Sequence, residues 1–190
     1  MQEDLRLRHY TAEEAQPLVD QLVDIYLDAH ANDGPLYNAE RYRKQLAAHM
    51  PWPGWELVTA TVDGDLVGYI YGFPLAPDTR WWDGIQEPVP AGFTEETGQR
   101  TFAVSELLVR RAWQRRGIAR ALHDELMSSR TEERATLLVR PDNVVALQAY
   151  KRWGWKGVTH LRPNWANAPA YLVLTRTRDC TAPTLPDATV

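Results

Sequence analysis

Cysteine is nearly absent from this sequence: Cys180 is the single one among 190 residues. One thiol excludes a disulfide framework and any metal site built from several cysteines. The chain also lacks a run of the ~20 apolar residues that a membrane-spanning helix requires. Its acidic start, Met1-Gln2-Glu3-Asp4, has no apolar segment behind it and is unlike a secretory signal. These absences predict a cytoplasmic protein with no membrane partner.

The sequence has no excess of basic residues either. The chain has 21 lysines and arginines against 25 aspartates and glutamates, a net charge of −4. Nucleic-acid backbones require basic surfaces, so nucleic acid is not an expected partner. Apolar residues make up 44% of the chain and charged residues 24%, which is typical of globular proteins. A length of 190 residues suits one domain with its own core.

Hydrophobic periodicity divides the chain into strands and helices. Leu5 to Tyr10 alternates like a half-buried strand, and Thr11-Ala12-Glu13-Glu14 has the form of a capping box that opens a helix. Asp63-Gly64-Asp65 predicts a hairpin turn. Further helices are expected near 39–50, 116–130 and 143–153, and further strands near 55–62, 66–73, 101–109, 135–140, 155–161 and 170–177. The resulting order predicts an α/β fold with a central mixed sheet of six to seven strands, flanked by helices on both faces.

Two segments do not follow this periodicity. Residues 74–100 contain four prolines and three glycines, which predicts a loop of a length that is usually functional or mobile. Residues 179–190 show no apolar pattern and are expected to form a disordered tail. The predicted domain therefore spans residues 1–178.

A basic turn joins the apolar strand that ends at Val109 to an amphipathic helix. Gly117 opens that helix, where unpaired backbone N–H groups and the helix dipole favour an anion. Gly117 and the small Ala119 allow a ligand to approach the backbone closely. The added positive charges come from Arg115, Arg116 and Arg120. The turn is neither a P-loop nor a dinucleotide fingerprint. It predicts a phosphate site, with a solvated basic helix start as the alternative.

A second motif runs from Asn143 to Trp155. Asn143 is suited to cap a helix, and Gly154 stands where a C-terminal glycine is expected. Between them, Tyr150 falls on the same helix face as Ala146, Ala149 and Trp153.

Together the two motifs resemble the signature of the GNAT superfamily of N-acetyltransferases. Gln114-Arg115-Arg116-Gly117-Ile118-Ala119 is similar to the Gln/Arg-x-x-Gly-x-Gly/Ala turn of that family, with alanine in place of the commoner second glycine. The segment 143–155 is similar to its Asn-x-x-Ala-x-x-x-Tyr-x-x-x-Gly-Phe motif, with Trp155 in place of Phe. The resemblance covers about residues 4–177. It implies a GNAT fold and transfer of an acetyl group from acetyl-CoA to a primary amine, without a metal.

The resemblance also implies roles for individual residues. Tyr150 would protonate the departing thiolate, and the backbone N–H of Val109 would stabilise the oxyanion. Glu106, on the same strand as Val109, is the candidate base, directly or through a water; a water chain without a dedicated base is the alternative. Leu138 occupies the family's other frequent base position and cannot serve. The residues implied to bind acetyl-CoA are Leu107, Leu108, Val109, Gln114, Arg115, Arg116, Gly117, Ile118, Ala119, Arg120, Asn143 and Tyr150.

The acceptor is expected to contact regions outside these motifs. Candidate residues are Tyr37, Trp81, Trp82 and Asp83, and the same regions also carry Tyr42, Trp52, Trp165 and Asn167. Aromatic rings beside carboxylates suit a cationic amine, although the same tryptophans would equally suit a loop pinned by its own side chains. The histidines show no metal-ligand spacing and are interpreted as structural. They are His9, His30, His49, His123 and His160.

Three functions remain open from the sequence. A small-molecule amine acetyltransferase leads, with the long loop 74–100 covering the acceptor side. A protein or peptide N-acetyltransferase and a non-catalytic acetyl-CoA sensor are the alternatives, and a homodimer is left open. Because the only thiol lies in the predicted tail, direct attack of the amine in a ternary complex is favoured over an acyl-enzyme.

Overall fold

A computed structural model describes residues 4–164 and 167–178. The predicted tail 179–190, with Cys180, and the candidate Trp165 lie outside the described residues. Seven strands form one sheet: β1 (Leu5–Tyr10), β2 (Glu56–Val62), β3 (Asp65–Pro74), β4 (Thr101–Val109), β5 (Arg134–Val139), β6 (Lys156–Leu161) and β7 (Tyr171–Thr177). The α-helices are α1 (Ala12–Ala15), α2 (Val19–Ala29), α3 (Ala39–His49), α4 (Ile118–Ser128) and α5 (Val144–Arg152).

The sheet has the order β1-β2-β3-β4-β5-β7-β6. Among the described strands, β4 and β5 form the single parallel pair, and all other neighbours are antiparallel. The predicted mixed α/β sheet is confirmed. Asp63 and Gly64 both adopt positive φ, as a tight two-residue hairpin between β2 and β3 requires.

Helix boundaries follow local chemistry. The predicted capping box is present, because Thr11 accepts from the backbone of Glu14 while the Glu14 carboxylate accepts from the backbone of Thr11. The expected single first helix is divided, however, into α1, a 3-10 turn at Gln16–Leu18 and α2. Pro17 lies in that turn and has no N–H to donate to a continuous α-helix.

Two buried clusters cover the two faces of the sheet. One joins α2 and α3 to β3 through side chains such as Leu22, Tyr42 and Tyr69. The other joins α4 to the opposite face through Ile118, Leu122 and Leu126, with α5 packed against it. Helices therefore cover both faces, as predicted.

Residues 75–100 have no helix or strand, as predicted, but they are anchored at two places, near their middle and near their C-terminal end. The backbone of Gln86 donates to His160 at 2.9 Å and Arg162 donates to Gly84 at 2.9 Å, so this part pairs with the edge strand β6. Hydrogen bonds from His160 and Thr159 lower the pKa of Glu87 to about 2, which keeps this carboxylate ionised and tied to β6. Near the C-terminal end, Arg134 forms an ion pair of 3.0 Å with the buried Glu96.

Candidate active site

Strands β4 and β5 separate at the centre of the sheet. They pair in parallel from Thr101 and Arg134 as far as Val104 and Leu137, although both strands continue beyond these residues. The split coincides with a bulge: Tyr71 of β3 pairs with Glu106 and Gly72 with Val104, which leaves Ser105 as an extra residue on β4. Beyond the split, no described strand pairs with β4 on the β5 side. A cleft therefore opens between the two strands.

The cleft has a volume of about 1200 Å³. Its two strand walls are formed by Ser105 to Leu108 of β4 and Leu137 to Val139 of β5. Helix α3 contributes Arg41, Gln45 and His49, and α5 contributes Ala146 and Tyr150. Such a volume is large enough for a small organic ligand.

Glu106 is the acidic residue at the split. Burial raises the pKa of its carboxyl to about 7, and a hydrogen bond from Gln45 opposes that rise. Gln45 Nε2 lies 3.0 Å from Glu106 Oε1. A carboxyl group that titrates near pH 7 can both accept and release a proton at neutral pH, which is the property that a general base needs.

Tyr150 lines the same cleft from α5. Its ring is in edge-to-face contact with Trp153 and Trp155, with centroids 5.5 and 5.8 Å away. Burial, together with the negative charge of Glu106, raises the pKa of its phenol. The hydroxyl therefore stays protonated and is available as a donor. Asn143 caps this helix by accepting from the backbone of Ala146 at 3.1 Å.

The basic turn lies beyond the end of β4. Gln114 Nε2 donates to the carbonyl oxygen of Val109 at 3.0 Å, which fixes the turn to the strand. Arg115 and Gly117 both have positive φ, at 62° and 83°. Helix α4 consequently begins at Ile118 rather than at the predicted residue 116. A Cβ placed on Gly117 would meet nothing within 4 Å, so the space in front of this helix end is open.

The comparisons with known proteins agree with this geometry. Residues 19–155 match the sequence profile described as the Acetyltransferase (GNAT) family. The chain belongs to the GNAT acetyltransferase family. No curated protein sequence matches it significantly.

Solved GNAT structures share this fold at low sequence identity. A ribosomal-protein-alanine N-acetyltransferase from Brucella melitensis has a TM-score of 0.63 and 18% identity, and the match covers 91% of this chain and 99% of that chain. A GNAT family acetyltransferase from Elizabethkingia anophelis, with acetyl-CoA bound, has a TM-score of 0.58 and 15% identity, over 92% and 99% of the two chains. The PaiA N-acetyltransferase from Thermoplasma acidophilum, in complex with coenzyme A, has a TM-score of 0.55 and 12% identity, and the match covers 92% of this chain and 99% of that chain.

The expected fold and acetyltransferase family are thereby confirmed. The residues present fit acetyl-CoA, the expected acetyl donor. The open edge of β4 at Leu107 and Leu108 can pair with an amide-bearing arm, and the glycine turn at 117 leaves room for a diphosphate. Ile118 can contribute only its backbone there, because its side chain is 3% exposed in the core. Val109 is also buried and is not part of the cleft lining.

Two adjacent tryptophans at the acceptor side of this GNAT cleft have different surroundings. Trp81 and Asp83 line the cleft, as does Tyr37. Trp82 was expected there too, and this prediction is wrong. Its side chain is only 6% exposed, and Nε1 donates to Glu96 at 3.0 Å, on the side of the loop that packs against Arg134. Trp82 anchors the loop, as the alternative interpretation proposed.

Two histidines that were interpreted as structural also line the cleft. His30 stacks on Tyr37 with ring centroids 4.3 Å apart. His49 Nδ1 lies 3.1 Å from the hydroxyl of Tyr71, and burial lowers the pKa of His49 to about 4, so the ring is neutral at pH 7. Within the described residues, no group of three or more potential ligands could hold a metal ion. Nor does that part of the chain contain a helix that is long and apolar enough to cross a membrane.

Gln45 and His49 were not found from the sequence, although a signal was present. Arg41, Gln45 and His49 are spaced four residues apart on α3 and form a polar stripe beside the buried Tyr42 and Leu46. Such a stripe usually faces solvent. Here it faces the cleft, which only the packing of α3 on the sheet reveals.

We expect Gly117→Glu to weaken binding of acetyl-CoA by at least about tenfold while the protein stays folded. The new side chain would project into the open space before α4 and bring negative charge to an anion site. Calorimetric titration with acetyl-CoA measures the effect. Gly98→Glu controls for backbone strain, because Gly98 also has positive φ but lies next to the start of β4, at the opposite end of that strand from the turn. Equal affinities in the two variants would contradict a phosphate site at the turn.

Proposed function

We propose that this enzyme acetylates the primary amine of a small molecule by direct attack on acetyl-CoA, with Glu106 as the base and Tyr150 as the acid. The observation that carries the proposal is that a carboxyl with a pKa of about 7 and a protonated phenol line one cleft, at the split between β4 and β5. An amine of pKa about 10.4 arrives mostly protonated at pH 7, so a base is needed before it can attack.

Each residue has a distinct task in the proposed reaction. Bound acetyl-CoA supplies the thioester carbonyl that the amine attacks. Glu106 accepts the proton of the bound ammonium, and the hydroxyl of Tyr150 donates a proton to the sulfur as it leaves. The nitrogen loses a second proton when it becomes the amide, and this proton restores the Tyr150 phenol. The backbone N–H of Val109 remains the predicted donor to the oxyanion. This route needs no covalent intermediate on the enzyme.

The walls of the cleft favour a small acceptor over a peptide. The segment that carries Arg80, Trp81 and Asp83 is held beside the cleft, because the residues that follow it pair with β6. His30 and Tyr37, which stack on each other, also line the cleft. An anchored loop at the acceptor side leaves less room for an extended chain than an open groove would.

The acidic residues of the cleft favour an acceptor with a single amine. Asp83 is 2.9 Å from Arg80, Asp33 is 2.7 Å from His30, and Asp142 is within 3.0 Å of Arg140. Each of these three carboxylates already has a side-chain partner, so Glu106 is the lining acid that is positioned for an incoming ammonium group. A polyamine would require a further acidic partner for its second charge.

The test is release of free CoA from acetyl-CoA in the presence of separate acceptors: aliphatic and aromatic monoamines, a polyamine, and peptides with a free N-terminus or lysine. We expect turnover with a monoamine and little with the polyamine or the peptides. Preferential turnover of a peptide would identify a protein N-acetyltransferase instead. Tight binding of acetyl-CoA without turnover of any acceptor would favour the sensor.

Replacing the two tryptophans separately distinguishes cleft contact from anchoring. We expect Trp81→Ala to raise the acceptor KM by about threefold to tenfold, because an aromatic contact to the ligand is lost, with affinity for acetyl-CoA unchanged. Trp82→Ala should instead lower the free energy of unfolding by about 3–5 kcal/mol, as expected for truncation of a buried tryptophan. Steady-state kinetics and chemical denaturation measure both. A raised acceptor KM in Trp82→Ala, with a large loss of stability in Trp81→Ala, would contradict the proposed acceptor side.

A further inference from the structure

A hydrogen-bonded chain runs from Glu106 along the wall of the cleft to the buried Tyr71. Gln45 Nε2 donates to Glu106 Oε1 at 3.0 Å and to Tyr71 Oη at 3.1 Å. The hydroxyl of Ser105 donates to the same Tyr71 oxygen at 3.1 Å, and His49 Nδ1 lies 3.1 Å from it on another side. The chain therefore joins α3 to β3 and β4 at the bulge.

The donors and acceptors of this chain are compatible with one another. Tyr71 Oη accepts from both Gln45 and Ser105, so its own proton is available to His49 Nδ1. His49 is neutral at pH 7, since burial lowers its pKa to about 4, and its Nδ1 can accept. Both N–H groups of the Gln45 amide then have acceptors. The opposite orientation of this amide would place its oxygen against the Glu106 carboxylate, which is repulsive.

We propose that Gln45 is a positioning residue for Glu106: its amide holds the carboxylate at the split between β4 and β5, and the hydroxyl of Tyr71 fixes the orientation of that amide. This inference rests on the proposed role of Glu106 as the base. Gln45 touches neither the amine nor the thioester in the proposed reaction and acts through Glu106 alone.

The groups around Glu106 explain why the hydrogen bond from Gln45 matters for ionisation of this carboxyl. The negative charge of Glu106 contributes to the raised pKa of the surrounding phenols, which are those of Tyr26, Tyr42, Tyr69, Tyr71, Tyr150 and Tyr171. Burial is the largest cause of the raised pKa in each, and their hydroxyls are neutral at pH 7. The cations Arg41 and Arg140 act on Tyr171, and Arg41 also acts on Tyr26. Gln45 thus supplies the hydrogen bond that favours the ionised form of Glu106 against burial.

The test uses Gln45→Met, which keeps the length of the side chain and a good helix former but removes both donors. Hydrogen bonds to a charged group are strong enough that we expect the pKa of Glu106 to rise by about one to two units. Protein with ¹³C-labelled glutamate carboxyls, titrated by NMR without substrates, measures this pKa directly, and Glu106→Gln assigns the signal. The acid limb of kcat/KM should move upward in parallel. Lys44→Met, on the exposed side of the same helix, is the matched control and should move neither.

Tyr71→Phe is the second variant, because it keeps Gln45 but removes the acceptor that orients its amide. We expect a smaller shift in the same direction. An unchanged pKa of Glu106 in Gln45→Met, with kcat lowered equally at every pH, would overturn the inference and make Gln45 merely structural. A shifted pKa by NMR with an unmoved acid limb would support the role of Gln45 and overturn the base role of Glu106. The two failures are therefore distinguishable.

Discussion

Glu106→Gln is expected to lower kcat/KM at pH 7 by about a hundredfold to ten-thousandfold, the range for loss of a general base. With the base removed, the variant depends on the neutral amine already present in solution. For an amine of pKa about 10.4, this is only about one molecule in a few thousand at pH 7. The substituted amide can still accept from Gln45, so the surrounding structure should persist.

The pH dependence of the rate shows where the loss in Glu106→Gln should be largest. A carboxyl with a pKa of about 7 is an active base only when deprotonated, so the wild-type rate should rise through pH 7 and then level. The Glu106→Gln rate should show no inflection there and should keep rising toward the pKa of the amine. The loss is therefore largest at and below neutral pH and shrinks as the pH approaches 10. A variant that retains the inflection near pH 7 would assign the base to a water chain or to another residue. Unchanged affinity for acetyl-CoA is the control.

Strands, helices and the two motifs could be predicted because their signals are local. The period of β4, the capping box at Thr11 and the glycine that opens α4 depend on residues within a few positions of one another. Even so, the left-handed conformation of Arg115 and Gly117 moved the start of α4 to Ile118. That detail depends on the turn being fixed to β4 by Gln114, which periodicity does not reveal.

The interior of the site could not be predicted in the same way. Gln45 and Glu106 are 61 positions apart, and only the packing of α3 against the bulged β4 brings them together. Trp81 and Trp82 are chemically identical neighbours, so sequence alone cannot tell which indole faces the cleft. The difference arises from Glu96, a buried carboxylate that accepts from the Trp82 indole and pairs with Arg134 from a distant strand.

The same packing bears on how the proposed acid and the proposed base would work together. Glu106 of β4 and Tyr150 of α5 line the same cleft, and burial together with the charge of Glu106 raises the pKa of the Tyr150 phenol. An ionised base thus keeps the acid protonated. Because Tyr150 starts the reaction with its proton and Glu106 starts without one, the pair begins in the ionisation state that the proposed transfer requires.

Tyr150→Phe is expected to lower kcat by about tenfold to a thousandfold, within or just below the range for loss of a general acid. The ring keeps its edge-to-face contacts with Trp153 and Trp155, so the affinity for acetyl-CoA and the free energy of unfolding should barely change. The departing thiol has a pKa of about 8.5, so a proton donor favours its departure below that pH and gives little advantage above it. The loss should therefore be greater at pH 7 than at pH 9. Single-turnover release of CoA at both pH values measures it, with Tyr10→Phe on β1 as the matched control. A loss of acetyl-CoA affinity with unchanged turnover would instead make Tyr150 a packing residue and leave the departing sulfur to be protonated by water.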